Sequence, residues 1–379
     1  MKLVYIYSEI TIKGGTDKVI VAKANYFVRH GYEVTVITEA QMGRALAFPL
    51  DPRVKHIDMG LDFNSQYACG MLKRAYIYKS LMCKYRRRLT QVLQEEKADI
   101  VITTVGRGLD FVTDIHDGSR KIAEAHTTKA HLRSLHLMEQ RGGFYRLMAK
   151  YMRRKMCRKV AQLDAIVLLT DQDAANWSEA KRTVVIPNSL PSFPSASAAL
   201  QNKRVIMVGR YNDAKGYDYL IPAWEKVHQR HPDWVLDVYG SGELHDQVVG
   251  WIAERHLEKS IVLHEPTSEI MEKYMESSIC VLSSRYEGFS MVLVEAMSCG
   301  VPCVSFDCPH GPRTIIANGE DGLLVDYLNV DALADGLCKL MEDEKLRMRL
   351  GENARKSVLR YSEERVMGLW TNLFNSLVR

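Results

Sequence analysis

Short, wholly apolar runs recur along the chain, separated by longer segments of helical period. In the first half the runs fall near 2–7, 33–38, 99–103, 120–125, 165–169 and 183–186. In the second half they fall near 204–208, 235–239, 261–264, 279–282 and 301–306. Brief runs without polar alternation are the pattern of parallel strands buried on both faces. The intervening segments near 17–30, 65–97, 141–160, 217–230, 291–297, 329–343, 345–360 and 362–377 read as helices. Strand, turn, helix and strand in alternation predict a doubly wound α/β fold, and the pattern runs twice. Residues 189–201, rich in Pro, Ser and Ala, separate the two runs. The expected organisation is a first Rossmann-like domain over 1–188, a linker over 189–202, a second Rossmann-like domain over 203–361 and a final helix over 362–379.

The chain is organised around residues 283–300. The run 279–282 ends in Ser283-Ser284-Arg285-Tyr286-Glu287-Gly288-Phe289-Ser290, and a helix follows from Met291 through Val292 and onward. Gly288 permits a sharp turn, Ser290 is placed as the N-cap, and Gly300 with Pro302 beyond it closes the helix. A helix N-terminus at the carboxyl end of a parallel strand offers unpaired N–H groups and a positive dipole end, which suits a phosphate. Glu287 stands just before this helix and Glu295 lies about two turns into it. One carboxylate can therefore face a sugar while the other reaches the ribose of the same nucleotide.

Other strand ends carry further candidates. Gly14-Gly15 follow the first strand, where a chain needs close backbone approach to a ligand or an open hinge. His126, in Glu124-Ala125-His126-Thr127-Thr128, stands at a carboxyl end, where open α/β sheets place ligand contacts. Gly209 and Arg210 open a loop that closes at Lys215-Gly216. A cation pair there can neutralise a diphosphate, Arg by a planar fork and Lys as a point charge. Gly240-Ser241-Gly242-Glu243 and Glu265-Pro266-Thr267 follow the next two strands.

The segment from Glu287 to Glu295 resembles the Glu-x7-Glu signature of family four of the retaining glycosyltransferases, which have the GT-B fold. The Gly-Arg…Lys-Gly element at 209–216, the Gly14-Gly15 pair and the placing of His126 are similar to that family too. The resemblance spans the chain and is most specific over 204–325. It implies two Rossmann-like doubly wound domains facing across a cleft, with the last helix crossing back to the first. It also implies a nucleotide-sugar donor, UDP-linked in the subset that the 307–325 segment resembles, which transfers galactose- or glucose-type sugars in surface polysaccharide and lipopolysaccharide pathways.

By that resemblance Glu295 holds the ribose, Glu287 the sugar near its 3- and 4-hydroxyls, and His126 the sugar near its 6-hydroxyl. Arg210, Lys215 and the backbone at Gly288, Phe289, Ser290, Met291 and Val292 steady the departing diphosphate, and Gly209 and Glu265 lie along the nucleotide. The region of Glu265-Pro266 departs from the family, which usually has a glycine there. The reaction is expected to proceed on one face of the sugar, with no cofactor and no metal. A nucleotide-sugar epimerase of the same architecture and a non-catalytic nucleotide-sugar-binding scaffold are the competing readings.

Composition narrows this further. The 379 residues, 46% hydrophobic and 26% charged, suit two globular cores. No apolar run is long enough to span a membrane, and 1–7 reads as a strand, so a cytoplasmic setting is expected. Cys299, Cys303, Cys308 and His310 lack a knuckle spacing, and zinc is not expected. Asp171-Gln172-Asp173 has Asp-x-Asp spacing in the wrong setting.

Charge is divided unevenly. Residues 1–190 hold 31 Lys and Arg against 19 Asp and Glu, whereas the remainder holds 20 against 27. The basic residues cluster with aromatics in 65–97 and 141–160. That interleaving suits a helix at an anionic membrane surface, such as the inner face of a cytoplasmic membrane; a solvated face is the alternative. Nucleic acid is not expected, since no binding motif accompanies the charge. The acceptor is expected to be a glycan or lipid-linked glycan.

Overall fold

A computed structural model describes residues 1–11 and 14–378, with the side chains of Ala68 and Met71 excepted. The chain divides into two units, Met1–Pro187 with Met367–Arg379, and Asn188–Val366. The first unit is built on strands β1 Lys2–Tyr7, β2 Glu33–Thr38, β3 Lys55–Asp58, β4 Ile100–Thr104, β5 Arg120–Glu124, β6 Ala165–Leu168 and β7 Thr183–Val185. They form one sheet in the order β3-β2-β1-β4-β5-β6-β7, every pair parallel. The central strands are buried on both faces, which is why they read as unbroken apolar runs. β3 escapes the pattern because it is the sheet's edge: Lys55-His56-Ile57-Asp58 is mostly exposed and charged, as edges commonly are.

The second unit is built on β8 Arg204–Val208, β9 Val235–Tyr239, β10 Ile261–His264, β11 Ile279–Leu282, β12 Cys303–Phe306 and β13 Gly322–Val325. Its sheet runs β10-β9-β8-β11-β12-β13, again wholly parallel. Each sheet reverses its build direction after its first strand, between β1 and β4 and between β8 and β11. The loops leaving such a reversal splay to opposite sides and open a crevice at the carboxyl ends, where these folds bind ligands.

Residues 189–201 carry no regular secondary structure, yet they lie against the second unit. Leu190 N donates to Tyr361 O and Ala198 N to Cys299 O. Arg355 donates to the carbonyls of Pro194 and Ala196, and Arg347 to that of Leu200. Pro and Ser report the lack of a helix or strand; they do not report looseness. Helix Met71–Glu96 starts later than expected because Ser65–Ala68 is a separate 3₁₀ turn and Gly70 caps the helix. The final helix, Glu363–Val378, joins the first unit from Met367 onward: the Phe374 ring lies 5.2 Å from that of Phe27, and Arg182 donates to Ser376 Oγ at 2.9 Å.

Gly351 tests this packing by sign. An added Cβ would sit 2.2 Å from Gly300 O and 2.8 Å from Leu200 Cδ1. Helix propensity alone would make Gly351→Ala stabilising by about 1 kcal/mol. The crowding should reverse that sign, for a net loss of about 1–3 kcal/mol in urea unfolding.

Candidate active site

In the second unit, two loops meet at the β8/β11 reversal. After β8 the chain passes Gly209 and Arg210, makes a 3₁₀ turn at Asp213–Lys215, and enters helix Tyr217–Arg230 through Gly216. Gly216 has φ +63°, and a Cβ on it would lie 2.2 Å from Ser283 O, so only glycine allows the second loop this close. Ser283 Oγ donates to Lys215 O at 2.8 Å and Arg285 N to Ala214 O at 2.8 Å. The Arg285 guanidinium bonds Asp218 and the Asp213 carbonyl. Together these bonds fix the two loops to one another.

On this base Lys215 Nζ donates to Glu287 Oε1 at 2.7 Å, and Ser284 Oγ donates to the same oxygen at 2.7 Å. Both bonds fall on Oε1; among the described residues Oε2 has no partner. The Lys215 stem runs over Gly209, where an added Cβ would meet its carbons at 3.2 Å. Gly311 closes the other side: a Cβ there would lie 2.8 Å from Glu287 Cβ. Cys308 is buried nearby, and burial, with Glu287 adding its charge, pushes its thiol up to about 12. The expected cation pair is thus divided. Lys215 is already bound to Glu287, while Arg210 is exposed and its side chain has no partner among the described residues.

Beyond Glu287 the backbone bends at Gly288 and Phe289, and helix Met291–Ser298 begins. Phe289 is anchored edge-on to Tyr361, with ring centroids 5.1 Å apart. Ser290 takes the N-cap position with extended backbone, but its side chain makes no capping bond, contrary to expectation. Among the described residues its hydroxyl is buried without a partner, and no other side chain caps this helix. A phosphate oxygen is the kind of group that would satisfy such a terminus. Glu295 is nearly buried, and its charge, after burial itself, helps raise the Tyr274 phenol. Glu265 is exposed after β10; with burial, its charge pushes Tyr211 up to about 12.

His126, Gly14 and Gly15 lie in the first unit. Gly14 is the N-cap of helix Gly15–Arg29, again without a side-chain cap. His126 Nε2 lies 3.0 Å from Glu124 Oε2, close in distance but without hydrogen-bond alignment, and Nδ1 is buried without a partner among the described residues. Glu124 is also bonded to Lys23. Burial alone would raise the Glu124 carboxyl, but Lys23 and then His126 outweigh it and hold it down at about 2. Burial lowers the Lys23 ammonium, partly offset by Glu124.

Sequence reasoning missed Lys23, Glu124, Ser284 and Gly311. It also missed the buried Glu39, 3.0 Å from Arg107, whose carboxyl burial raises. Ser284 lies within the 283–300 segment, three residues before Glu287; the others act through residues distant in sequence or outside a motif. Asp173, within the Asp-x-Asp spacing, is occupied structurally: it accepts from Lys129 N at 3.0 Å and Trp177 Nε1 at 3.3 Å.

The basic helices Met71–Glu96 and Gly143–Val160 both lead into parallel strands, so their first turns lie at the sheet's carboxyl edge. The N-terminal halves of the two helices expose Leu72, Tyr76, Phe144, Leu147 and Tyr151. Beside them Lys73, Lys79, Arg146, Lys150 and Arg154 have no ion-pair partner among the described residues. No described helix is long and apolar enough to cross a membrane. One trio among the described residues, His231, Cys338 and Glu342, brings possible metal-ligand atoms within 4.8 Å of one another, but Arg230 donates to Glu342 there at 3.2 Å and competes for its carboxylate.

Two parallel Rossmann-like sheets, each reversing after its first strand, are those of the GT-B fold. The backbone agrees with that of a variant of S. aureus TarM solved with fondaparinux, alpha-GlcNAc-glycerol and UDP. That structure has TM-score 0.80 and 16% identity, with 99% of this chain and 100% of that chain covered. Residues 192–357 match the model of the family described as glycosyl transferases group 1. It is similar to an uncharacterised glycosyltransferase of Haemophilus influenzae, 26% identical over 98% of this chain and 99% of the relative. It is also similar to the amylovoran biosynthesis glycosyltransferase AmsD of Erwinia amylovora, 35% identical over 50% of this chain and 52% of that protein.

The depressed Glu124 carboxyl has a signed consequence. A group held at about 2 against an ordinary 4.5 contributes stability that is fully present above the ordinary value and is lost as pH falls toward the folded one. Thermal melts should therefore fall steeply over that window. Glu124→Gln should shallow the slope while costing about 3–5 kcal/mol at neutral pH by stranding Lys23.

Proposed function

We propose that the protein is a retaining glycosyltransferase. It moves a hexose or N-acetylhexosamine from a UDP-linked donor of galactose or glucose type to a glycan or lipid-linked glycan acceptor in cell-surface polysaccharide synthesis. The observation that carries this reading is the Lys215–Glu287–Ser284 cluster beside an uncapped helix N-terminus at a sheet reversal. The UDP bound to the similar fold and the amylovoran-synthesising relative support the donor and the pathway class.

In this reading the backbone from Gly288 to Val292 and the Ser290 hydroxyl take the diphosphate. Lys215 and the unpaired Arg210 balance its charge as the bond from the sugar's anomeric carbon to the phosphate oxygen breaks. The acceptor oxygen attacks the same face, and its proton passes to the departing diphosphate. Glu287 offers Oε2 to sugar hydroxyls, Glu295 holds the ribose, Gly209 and Glu265 border the nucleotide, and His126 takes a further sugar hydroxyl.

Glu287→Ala should cut transfer by about 10²–10³-fold while leaving the melting temperature nearly unchanged. Near-normal turnover would sink the assignment. A panel of UDP-, GDP- and ADP-sugars, with EDTA and then magnesium, should show stabilisation by one UDP-sugar, and slow UDP release that survives the chelator. Epimerised donor without acceptor would favour an epimerase, and binding without any turnover a scaffold.

The acid-free basic turns with exposed Leu and aromatic side chains support docking at an anionic membrane from the cytoplasmic side. The protein should co-sediment with vesicles containing phosphatidylglycerol and not with phosphatidylcholine alone. Serine at Leu72, Tyr76, Phe144 and Leu147 should abolish this. Failure of the unaltered protein to sediment would remove the membrane from the reading.

A further inference from the structure

Helices Tyr217–Arg230 and Val330–Glu342 pack side by side in the second unit. Trp224 and Val227 of the first share one buried cluster with Leu333 and Leu337 of the second. Lys226 bonds Asp331 and Arg230 bonds Asp335 across the join. These pairs run in register, so the helices are parallel and their carboxyl ends lie together. The first helix leads into β9, which places both ends at the amino edge of the sheet, away from the Lys215–Glu287 cluster.

Three side chains able to bind a metal converge there. His231 caps the first helix, its N donating to Val227 O at 2.8 Å. Cys338 and Glu342 stand one turn apart on the second helix and share a face. His231 Nε2, the Cys338 sulfur and a Glu342 carboxylate oxygen all lie within 4.8 Å of one another, and Nε2 is 2.9 Å from Glu342 Oε1. Zinc bonds of about 2.0–2.3 Å set the ligand atoms of a tetrahedral site about 3.3–3.8 Å apart. The observed spacings bracket that range, so small side-chain rotations bring the three atoms onto one ion.

Thiolate, imidazole and carboxylate together suit zinc, and not calcium or magnesium, which take oxygen ligands. Two further observations favour a cation. Two helix carboxyl ends meet here, each carrying about half a negative charge. His231 and Glu342 also line a cavity of about 530 Å³, with room for a water as fourth ligand. Arg230 competes for Glu342, but its bonds leave the site usable. It donates to Glu342 Oε1 at 3.2 Å and to Asp335 at 2.7 Å, and among the described residues Glu342 Oε2 has no partner. Glu342 and Asp335 against Arg230 leave one negative charge. Zinc with a Cys338 thiolate adds one positive charge and balances it.

We propose that His231, Cys338 and Glu342 form a zinc site that clamps the carboxyl ends of these two helices. Binding exchanges the Cys338 thiol proton for a sulfur–zinc bond and releases that proton to solvent. The site takes no part in transfer and does not rest on the transferase reading.

The test uses the intact protein, stripped with EDTA and exchanged into chelator-free buffer, with Co²⁺ as the probe. One cobalt per chain should bind with a thiolate charge-transfer band and the visible bands of a four-coordinate ion, and zinc should displace it. Cys338→Ala should abolish the band, whereas Cys83→Ser, which removes the exposed cysteine, should leave it. His231→Gln and Glu342→Gln should each weaken binding at least about tenfold, since losing even an outer-shell partner costs about 10–100-fold. Arg230→Gln removes the competitor and should tighten it. Zinc at about a hundredfold above its dissociation constant should raise the melting temperature by about 5–10 °C. No thiolate band, a band that survives Cys338→Ala or vanishes with Cys83→Ser, or a melting temperature that zinc leaves unchanged would overturn the proposal. Should Cys338→Ala not fold, undiminished cobalt affinity in His231→Gln and Glu342→Gln would overturn it equally.

Discussion

The bond from Ser283 Oγ to the Lys215 carbonyl is small, but the candidate site is built on it. It joins loops that leave two neighbouring strands in diverging directions. With the bond from Arg285 N to the Ala214 carbonyl, it gives Lys215 and Glu287 a common frame. Gly216 makes the join possible by bringing one backbone against the other, and Arg285 locks it from outside. The result is a carboxylate with one oxygen committed and one open, beside a helix end with its hydroxyl uncommitted. Such a site is organised before a ligand arrives, which lowers what binding must spend on ordering.

The two units treat a buried carboxylate in opposite ways. Glu287 is held by one lysine and one hydroxyl at the rim of its sheet, where a ligand can compete for it. Glu124 is sealed between Lys23 and His126 and serves only protein groups. Both use a Lys–Glu pair, and the difference lies in where the pair sits relative to the strand end. One pair is open to a ligand; the other is closed within the protein.

Much of the architecture was legible because wholly buried parallel strands write themselves as apolar runs. β3 was not legible, since an exposed edge strand such as Lys55-His56-Ile57-Asp58 has no such run to show. Glu287, Lys215 and Ser290 were legible because strand-end loops with Gly and a following helix have a local pattern. Gly311 and Lys23 were not, because each matters through a residue distant in sequence, Glu287 in one case and Glu124 in the other. The Ser/Pro-rich segment 189–201 was legible as irregular backbone, but its attachment to Arg347 and Arg355 depends on side chains about 150 residues away.

The first unit is assembled from two separated stretches of chain, and the later stretch brings Trp370 over Lys23 and Phe374 onto Phe27. During synthesis the earlier stretch emerges long before the helix that covers it. A buried ion pair and an aromatic core surface must therefore wait, partly uncovered, while all of the second unit is made. The order of manufacture differs from the order of completion: the second unit can close on its own sequence, and the first can finish only when the last helix arrives.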